Sequence, residues 1–139
     1  MIKKDEITIV IVSYKSKKKI LTFLSSINID FKIIIIENSD DYSIKNYLKI
    51  YSENVDIFYP GNIGYGNSAN YARKKINTKY FFLLNPDLTG INNQVIEYFL
   101  DQANKMDDNF SCLGPRYANI KKKTLKQSDS NFKIGYVKA

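Results

Sequence analysis

Histidine and tryptophan are absent from this 139-residue chain, and cysteine occurs once, at Cys112. Without histidine, the histidine-based triads and Cys–His pairs of nucleophilic enzymes have no base, and zinc sites lose a principal ligand. A single cysteine excludes an internal disulfide framework and is typical of a reducing compartment. The chemistry left to this chain is that of oxygen ligands and hydrogen bonds.

Arginine is also scarce, although the chain is basic. Of its 21 basic residues only Arg73 and Arg116 are arginine, and 14 acidic residues leave a net charge of +7. The charge admits nucleic acid, an acidic membrane face or a phosphorylated small molecule as partners. Bidentate recognition of phosphate and guanine favours arginine, so nucleic-acid binding is the least favoured alternative. The lysine runs at 17–19 and 121–123 are interpreted as solvated faces.

Long apolar runs are missing as well. The longest are 7–12 and 33–36, well short of the roughly 18 residues that a membrane-spanning helix needs. Near the amino terminus two lysines are followed at once by two acids, and no cleavage site for a signal peptide follows. We therefore expect a cytoplasmic location, with lysine-rich surfaces that can sit against acidic headgroups at the inner face of the membrane.

Strand and helix patterns alternate along the chain. Continuous β-branched or aromatic runs predict buried strands, and apolar residues at helical spacing predict the segments between them. The predicted strands are 7–12, 32–36, 55–59 and 80–84, with further short strands at 111–113 and 134–137; the predicted helices are 20–27, 44–51, 67–76 and 91–106. This pattern predicts an α/β fold, an open and mostly parallel sheet with helices on both faces, in one domain over 1–139.

Polar and turn-forming residues follow each of the four main predicted strands, at 13–14, 37–40, 60–62 and 85–87. Turns are polar in any protein, so each terminus alone has an ordinary structural explanation. Parallel strands nevertheless bring such termini to one edge, where ligands of open α/β sheets bind. The glycines at 61, 64 and 66 match neither the dinucleotide fingerprint nor a P-loop. Carboxylates at this edge would suit Mg²⁺ or Mn²⁺ shared with a substrate diphosphate.

Four segments in series resemble the family 2 glycosyltransferases, and most closely their rhamnosyltransferase-like members. They are ITIVIVSYKS at 7–16, KIIIIENSDD at 32–41, GNIGYGNSANYA at 61–72 and YFFLLNPDL at 80–88. The segments at 113–116 and 125–128 are similar to those that follow in the same subgroup. The resemblance implies a GT-A fold, Rossmann-like and here lacking its second half, that binds a nucleotide sugar.

The same resemblance implies a nucleotide pocket built from three of the loops. Ser13 and Tyr14 would line it, and Glu37, which stands where the family usually has aspartate, would contact the base. The carboxylate of Glu37 suits the N–H donor of uracil or thymine. The floor of the pocket would be shaped by Asn62, Gly64 and Asn70.

The Asp-x-Asp motif of the family is represented here by Asn85-Pro86-Asp87. The resemblance therefore implies that Asp87 is the metal-binding carboxylate, for Mg²⁺ or Mn²⁺, and that Asn85 is a neutral hydrogen-bonding partner. One carboxylate can hold Mg²⁺, because this ion keeps waters and takes phosphate oxygens as ligands.

The activity that the resemblance implies is inverting transfer of a sugar from a UDP or dTDP donor to a saccharide or lipid-linked acceptor. We expect the acceptor-binding half of the family, with its general base, to be absent from 1–139, and we name no catalytic base. The later acids, expected to be surface charges, are Glu97, Asp101, Asp107, Asp108 and Asp129. The alternative is a non-catalytic remnant that binds a nucleotide or a partner, with self-association or a partner chain at an exposed sheet edge.

Overall fold

The computed structural model of the chain describes residues 4–27, 30–51, 53–106, 110–117 and 132–138. They fall into two compact units, 1–97 and 98–139, divided within a helix. Each unit is described by itself. The single domain expected over 1–139 stays a prediction, and the family-like segment at 125–128 lies outside the described residues.

The first unit alternates strands with helices as the sequence predicts. Its elements are β1 (Ile7–Ser13), α1 (Lys17–Ser26), β2 (Lys32–Glu37), α2 (Ile44–Leu48), β3 (Val55–Phe58), α3 (Tyr65–Arg73), β4 (Tyr80–Leu84) and the start of α4 (Asn93–Lys105), with 3-10 turns at Lys4–Glu6 and Lys49–Tyr51. Helix α3 begins two residues before the predicted start, because Gly64 adopts a positive φ of 78° and its carbonyl accepts a hydrogen bond from Ser68 N at 3.0 Å.

The four strands form one sheet in the order β3-β2-β1-β4, and every neighbouring pair is parallel. The chain moves outward from β1 to β3 and then returns to place β4 on the other side of β1. This reversal makes the junction between β1 and β4 the switch point of a doubly wound sheet. The predicted α/β fold with a parallel sheet is confirmed.

Both faces of the central strands are buried, which explains their unbroken runs of β-branched residues. On one face Val10, Ile34 and Ile36 pack with Ala72 of α3. Ile9, Ile11, Ile33 and Ile35 alternate with these along the strands and are equally inaccessible to water. Because parallel crossovers are right-handed, the β1-α1-β2 and β2-α2-β3 connections lie on this second face and the return through α3 on the first.

The second unit contains the end of α4 and an antiparallel pair, β5 (Phe110–Tyr117) and β6 (Phe132–Lys138). Both strands were predicted. Strand β5 extends beyond the predicted range 111–113 and includes Gly114 and Pro115. Proline is tolerated in an edge strand, where its missing N–H costs no ladder bond. Across the described ranges, no helix combines the length and the apolar character needed to cross a membrane.

Substitution of Ile34 by alanine tests the central packing. Ile34 is 1% exposed, whereas Ile50 is 85% exposed. We expect Ile34→Ala to lower the free energy of unfolding by about 2–5 kcal/mol, since it leaves a cavity between the sheet and α3. The matched variant Ile50→Ala should change it by less than about 0.5 kcal/mol. Urea denaturation followed by circular dichroism measures both, and equal losses would contradict the assigned packing.

Candidate functional site

The carboxyl ends of the four strands lie at one edge of the sheet. Ser13 pairs with Glu37 in the register of β1 and β2, Ile11 of β1 pairs with Leu84 of β4, and Ile36 of β2 pairs with Phe58 of β3. The loops that carry the predicted site residues therefore leave the sheet within two residues of the same level. We refer to this edge, formed by residues 13–16, 37–43, 59–64 and 85–92, as the C-edge.

Glu37, the last residue of β2, is buried at the C-edge with an exposed fraction of 0%. One carboxylate oxygen, Oε2, accepts a hydrogen bond from the hydroxyl of Ser13. The other, Oε1, accepts from the backbone N–H of Ser39 at 2.7 Å and from the Ser39 hydroxyl. Ser13 is fully buried too. Three donors thus replace the water that this carboxylate loses, which is the condition for burying such a group.

The loops that follow β1 and β2 each hold one non-glycine residue in the left-handed region of φ. These residues are Lys15, with a φ of 51°, and Asp40, with a φ of 55°. Lys15 N donates to Ser39 Oγ at 3.0 Å, and Asn38 N donates to Ser13 O at 2.8 Å. A non-glycine residue in this region is uncommon and is held there by its surroundings. The hydrogen bond from Lys15 N to Ser39 supplies that restraint for Lys15, and at Asp40 the carbonyl oxygen accepts from Tyr42 N at 2.9 Å.

Asn38 and Ser68 were not among the predicted site residues, yet they join β2 to the glycine-rich loop. Asn38 Nδ2 donates to Ser68 Oγ at 2.8 Å, and Ser68 Oγ lies 2.7 Å from the carbonyl oxygen of Gly64, to which it donates. Both side chains are buried. The serine four residues after Gly64 in the sequence was the available signal, because a helical residue at that spacing can bond back to the Gly64 carbonyl.

Tyrosine rings also lie at the C-edge. Tyr14, predicted to line the pocket, is 52% exposed. The rings of Tyr42 and Tyr59 are in contact, with centroids 4.6 Å apart. Burial raises the pKa of the Tyr59 hydroxyl above its usual value of 10.0. An interaction with the backbone of Lys45 lowers this pKa in part, whereas the negative charges of Glu37 and Asp41 raise it further. The Tyr59 hydroxyl therefore stays protonated at neutral pH.

Three of the predicted site residues lie in the glycine-rich segment and the start of α3, and all three are exposed: Asn62, Gly64 and Asn70. Gly64 caps α3, while the side chains of Asn62 and Asn70 face solvent. Asn70 lies on the side of α3 opposite the buried Ser68 and Ala72, since two helical positions correspond to about 200° of rotation. Their contribution to a pocket floor stays a prediction.

Asn85 and Asp87 follow β4 in a tight turn that is closed by a hydrogen bond from Leu88 N to Asn85 O at 3.2 Å. Both side chains are exposed. Asp87 borders a cavity of about 500 Å³ between α1 and the segment 86–92, where Lys18 and Lys19 also lie. No hydrogen bond or ion pair among the described residues joins Asp87 to Ser13, Glu37 or Asn62. The edge thus has a buried, hydrogen-bonded part at β1–β2 and an open part at the switch point.

No group of three or more metal-ligating side chains occurs within the described ranges, and metal binding stays a prediction for Asp87. Its exposed carboxylate fits an ion that completes its coordination with water and substrate phosphate, as Mg²⁺ does. Among the later acids, Asp101 pairs with Lys105 at 2.5 Å on α4, which agrees with the expected surface charge. Glu97 is partly exposed, and Asp107, Asp108 and Asp129 lie outside the described residues.

Ser68→Ala tests the link between β2 and the glycine-rich loop. We expect the free energy of unfolding to fall by about 1–3 kcal/mol, because the buried amide of Asn38 loses its partner. Ser25→Ala is the matched control: Ser25 is an exposed helical serine whose hydroxyl donates to the carbonyl of Thr22, and it should change stability by less than about 0.5 kcal/mol. Urea denaturation of both variants provides the comparison, and an unaffected Ser68→Ala would argue against the link.

Comparison with known proteins gives one informative similarity. No protein-family model matches the chain. Over 124 residues the chain is 30% identical to the Low-salt glycan biosynthesis hexosyltransferase Agl10 of Haloferax volcanii. The match covers 83% of this chain but 38% of that protein, so the chain spans well under half the length of this curated relative. The chain is therefore similar to one part of a hexosyltransferase, in keeping with the resemblance noted from its motifs.

Proposed function

We propose that this chain is the donor-binding part of a glycosyltransferase and binds a UDP- or dTDP-sugar at the C-edge. The observation that carries the proposal is the alignment of four strand ends in one register, which brings the loop of Asp87 to the same edge as those of Tyr14 and Asn62. The similarity to a hexosyltransferase supports it. Membership of family 2 and of its rhamnosyltransferase-like subgroup belongs to the same proposal.

In this proposal the open part of the C-edge receives the diphosphate. Asp87 would hold Mg²⁺ or Mn²⁺, and such an ion, when bound, neutralises the negative charge that grows on a departing diphosphate. Lys18 and Lys19, which border the same cavity, add positive charge near the phosphates. Asn85 offers an amide for a hydroxyl of the ribose, and Tyr14 offers an exposed ring on which a base can stack.

Transfer with inversion needs a general base that takes the proton of the acceptor hydroxyl. None of the described acids is assigned that role, so the acceptor, a saccharide or a lipid-linked sugar, is proposed only by class. Nucleotide binding without transfer is the second candidate, and the lack of an assigned base among the described acids favours it. Release of free sugar from radiolabelled UDP-glucose by the purified chain would rule out this non-catalytic candidate.

Calorimetric titration with UDP in the presence of Mn²⁺ tests the donor site. We expect the unmodified chain to bind UDP, and Asp87→Asn to weaken binding by about tenfold or more, because a neutral amide is a poor ligand for a hard divalent cation. Omission of Mn²⁺ should reduce binding by the unmodified chain to the level of the variant.

Asp56→Asn is the matched control for that experiment. Asp56 is an exposed carboxylate on β3, outside the C-edge, so its removal changes the net charge equally without touching the proposed site. Neutralising either carboxylate makes the chain more positive, so overall charge alone would not weaken binding of an anionic nucleotide. Equal weakening by Asp56→Asn and Asp87→Asn would therefore contradict a specific role for Asp87. Absence of UDP binding at millimolar concentration would contradict the proposed function.

A further inference from the structure

We propose that Glu37 does not read the nucleobase but is a positioning residue, which acts through Ser13 and Ser39 to hold the Tyr14 loop in place. The inference rests on the proposed function, since it concerns the same nucleotide site. It departs from the role that the family resemblance implies for this position, a direct contact between the carboxylate and the base.

The first argument is access. A base contact needs at least one carboxylate oxygen at the protein surface, and Glu37 has no accessible surface. A carboxylate offers about four acceptor positions. Three of them are taken by the hydroxyl of Ser13 and by the N–H and hydroxyl of Ser39. The group is therefore satisfied from within the protein.

The second argument is side-chain length. Glutamate reaches one methylene further than the aspartate that is usual at this position. Glu37 is the last residue of β2, and its Oε1 accepts from the N–H two residues later, a bond that aspartate also makes. With the longer side chain, Oε2 at the same time reaches across to Ser13 of the neighbouring strand. The longer side chain thus bridges the two loops.

The third argument is what the bridge restrains. Ser39, which Glu37 holds, accepts a hydrogen bond from Lys15 N at 3.0 Å. Lys15 adopts a positive φ of 51°, a conformation that a lysine adopts only when its surroundings impose it. Tyr14 lies between Ser13 and Lys15, so both of its neighbours are tied to Glu37, directly or through Ser39. The exposed ring of Tyr14 is thereby presented at a fixed place on the C-edge.

The two roles predict opposite results for Glu37→Gln. In the positioning role, the glutamine oxygen accepts from Ser39 and its NH₂ group donates to Ser13, whose hydroxyl rotates to accept. The bridge survives, so Glu37→Gln should bind UDP within about threefold of the unmodified chain. In the base-reading role, one oxygen must accept from the N3–H of uracil while the other accepts from the N–H of Ser39. Glutamine has a single acceptor oxygen, so one of these donors would lose its partner and binding should fall by about tenfold or more.

The experiment measures UDP and N3-methyl-UDP binding, with Mn²⁺, for the unmodified chain, Glu37→Gln, Glu37→Ala and Ser39→Ala. We expect Glu37→Ala and Ser39→Ala to weaken both nucleotides by the same factor, and Glu37→Gln to rescue most of the loss seen in Glu37→Ala. Any preference for UDP over its N3-methyl form should be unchanged in Glu37→Gln. Loss of that preference in Glu37→Gln would overturn the inference and restore the base contact.

A second readout does not depend on nucleotide or on the survival of Glu37→Ala. The chain has no tryptophan, so Tyr14→Trp introduces a single tryptophan into the loop, and its emission can be excited apart from that of the tyrosines. We expect the fluorescence anisotropy of this tryptophan to fall when Ser39→Ala is added and to stay unchanged with Glu37→Gln. Ser25→Ala, on the exposed face of α1, is the matched control and should leave it unchanged.

The outcomes separate the inference from the proposed function. If the unmodified chain binds no UDP, the proposed function fails, and the anisotropy series alone decides whether Glu37 positions the loop. If the chain binds UDP but Ser39→Ala changes neither affinity nor anisotropy, the inference is overturned and the proposed function stands.

Discussion

The parallel register of β1 with its two neighbours is the constraint on which the rest of the site depends. Parallel strands with both faces covered must be apolar along their length, so every polar group that the sheet can offer to a ligand is displaced to the strand ends. Because β1 pairs with β2 and β4 at nearly the same level, those ends share one edge. The order β3-β2-β1-β4 then opens a crevice where the chain reverses direction.

Two kinds of polar group occupy this edge, and their surroundings differ. At the β1–β2 end the side chains are buried and satisfy one another, as Glu37 does with Ser13 and Ser39. At the switch point Asp87 and its neighbours are open to water beside a cavity. A buried network of fully satisfied groups is rigid, whereas an exposed carboxylate can exchange water for a ligand. The first kind suits positioning and the second suits binding.

The similarity to a hexosyltransferase covers 38% of that protein, and the proposed function accordingly assigns the described residues to donor binding and names no catalytic base. Donor binding and acceptor activation need different chemistry. The first needs charge and hydrogen-bond complementarity to a diphosphate and a base, and the second needs a carboxylate next to an acceptor hydroxyl. In the proposed function the residues of the C-edge serve the first requirement, and the proposal is therefore limited to donor recognition.

The sequence alone determined the fold class, and it predicted the edge of the sheet at which a ligand is proposed to bind. The unbroken run of Ile7 to Val12 predicts a strand buried on both faces, and the polar residues after each strand predict the edge at which a ligand binds, because both depend on local pattern. Tertiary structure alone decided which of those side chains are buried and which partners they contact. Whether Glu37 faces a ligand or the protein interior depends on its cross-strand partner Ser13, 24 residues away, and the pairing of Asn38 with Ser68 spans 30 residues. Such contacts are fixed by register and helix packing, which no local pattern encodes.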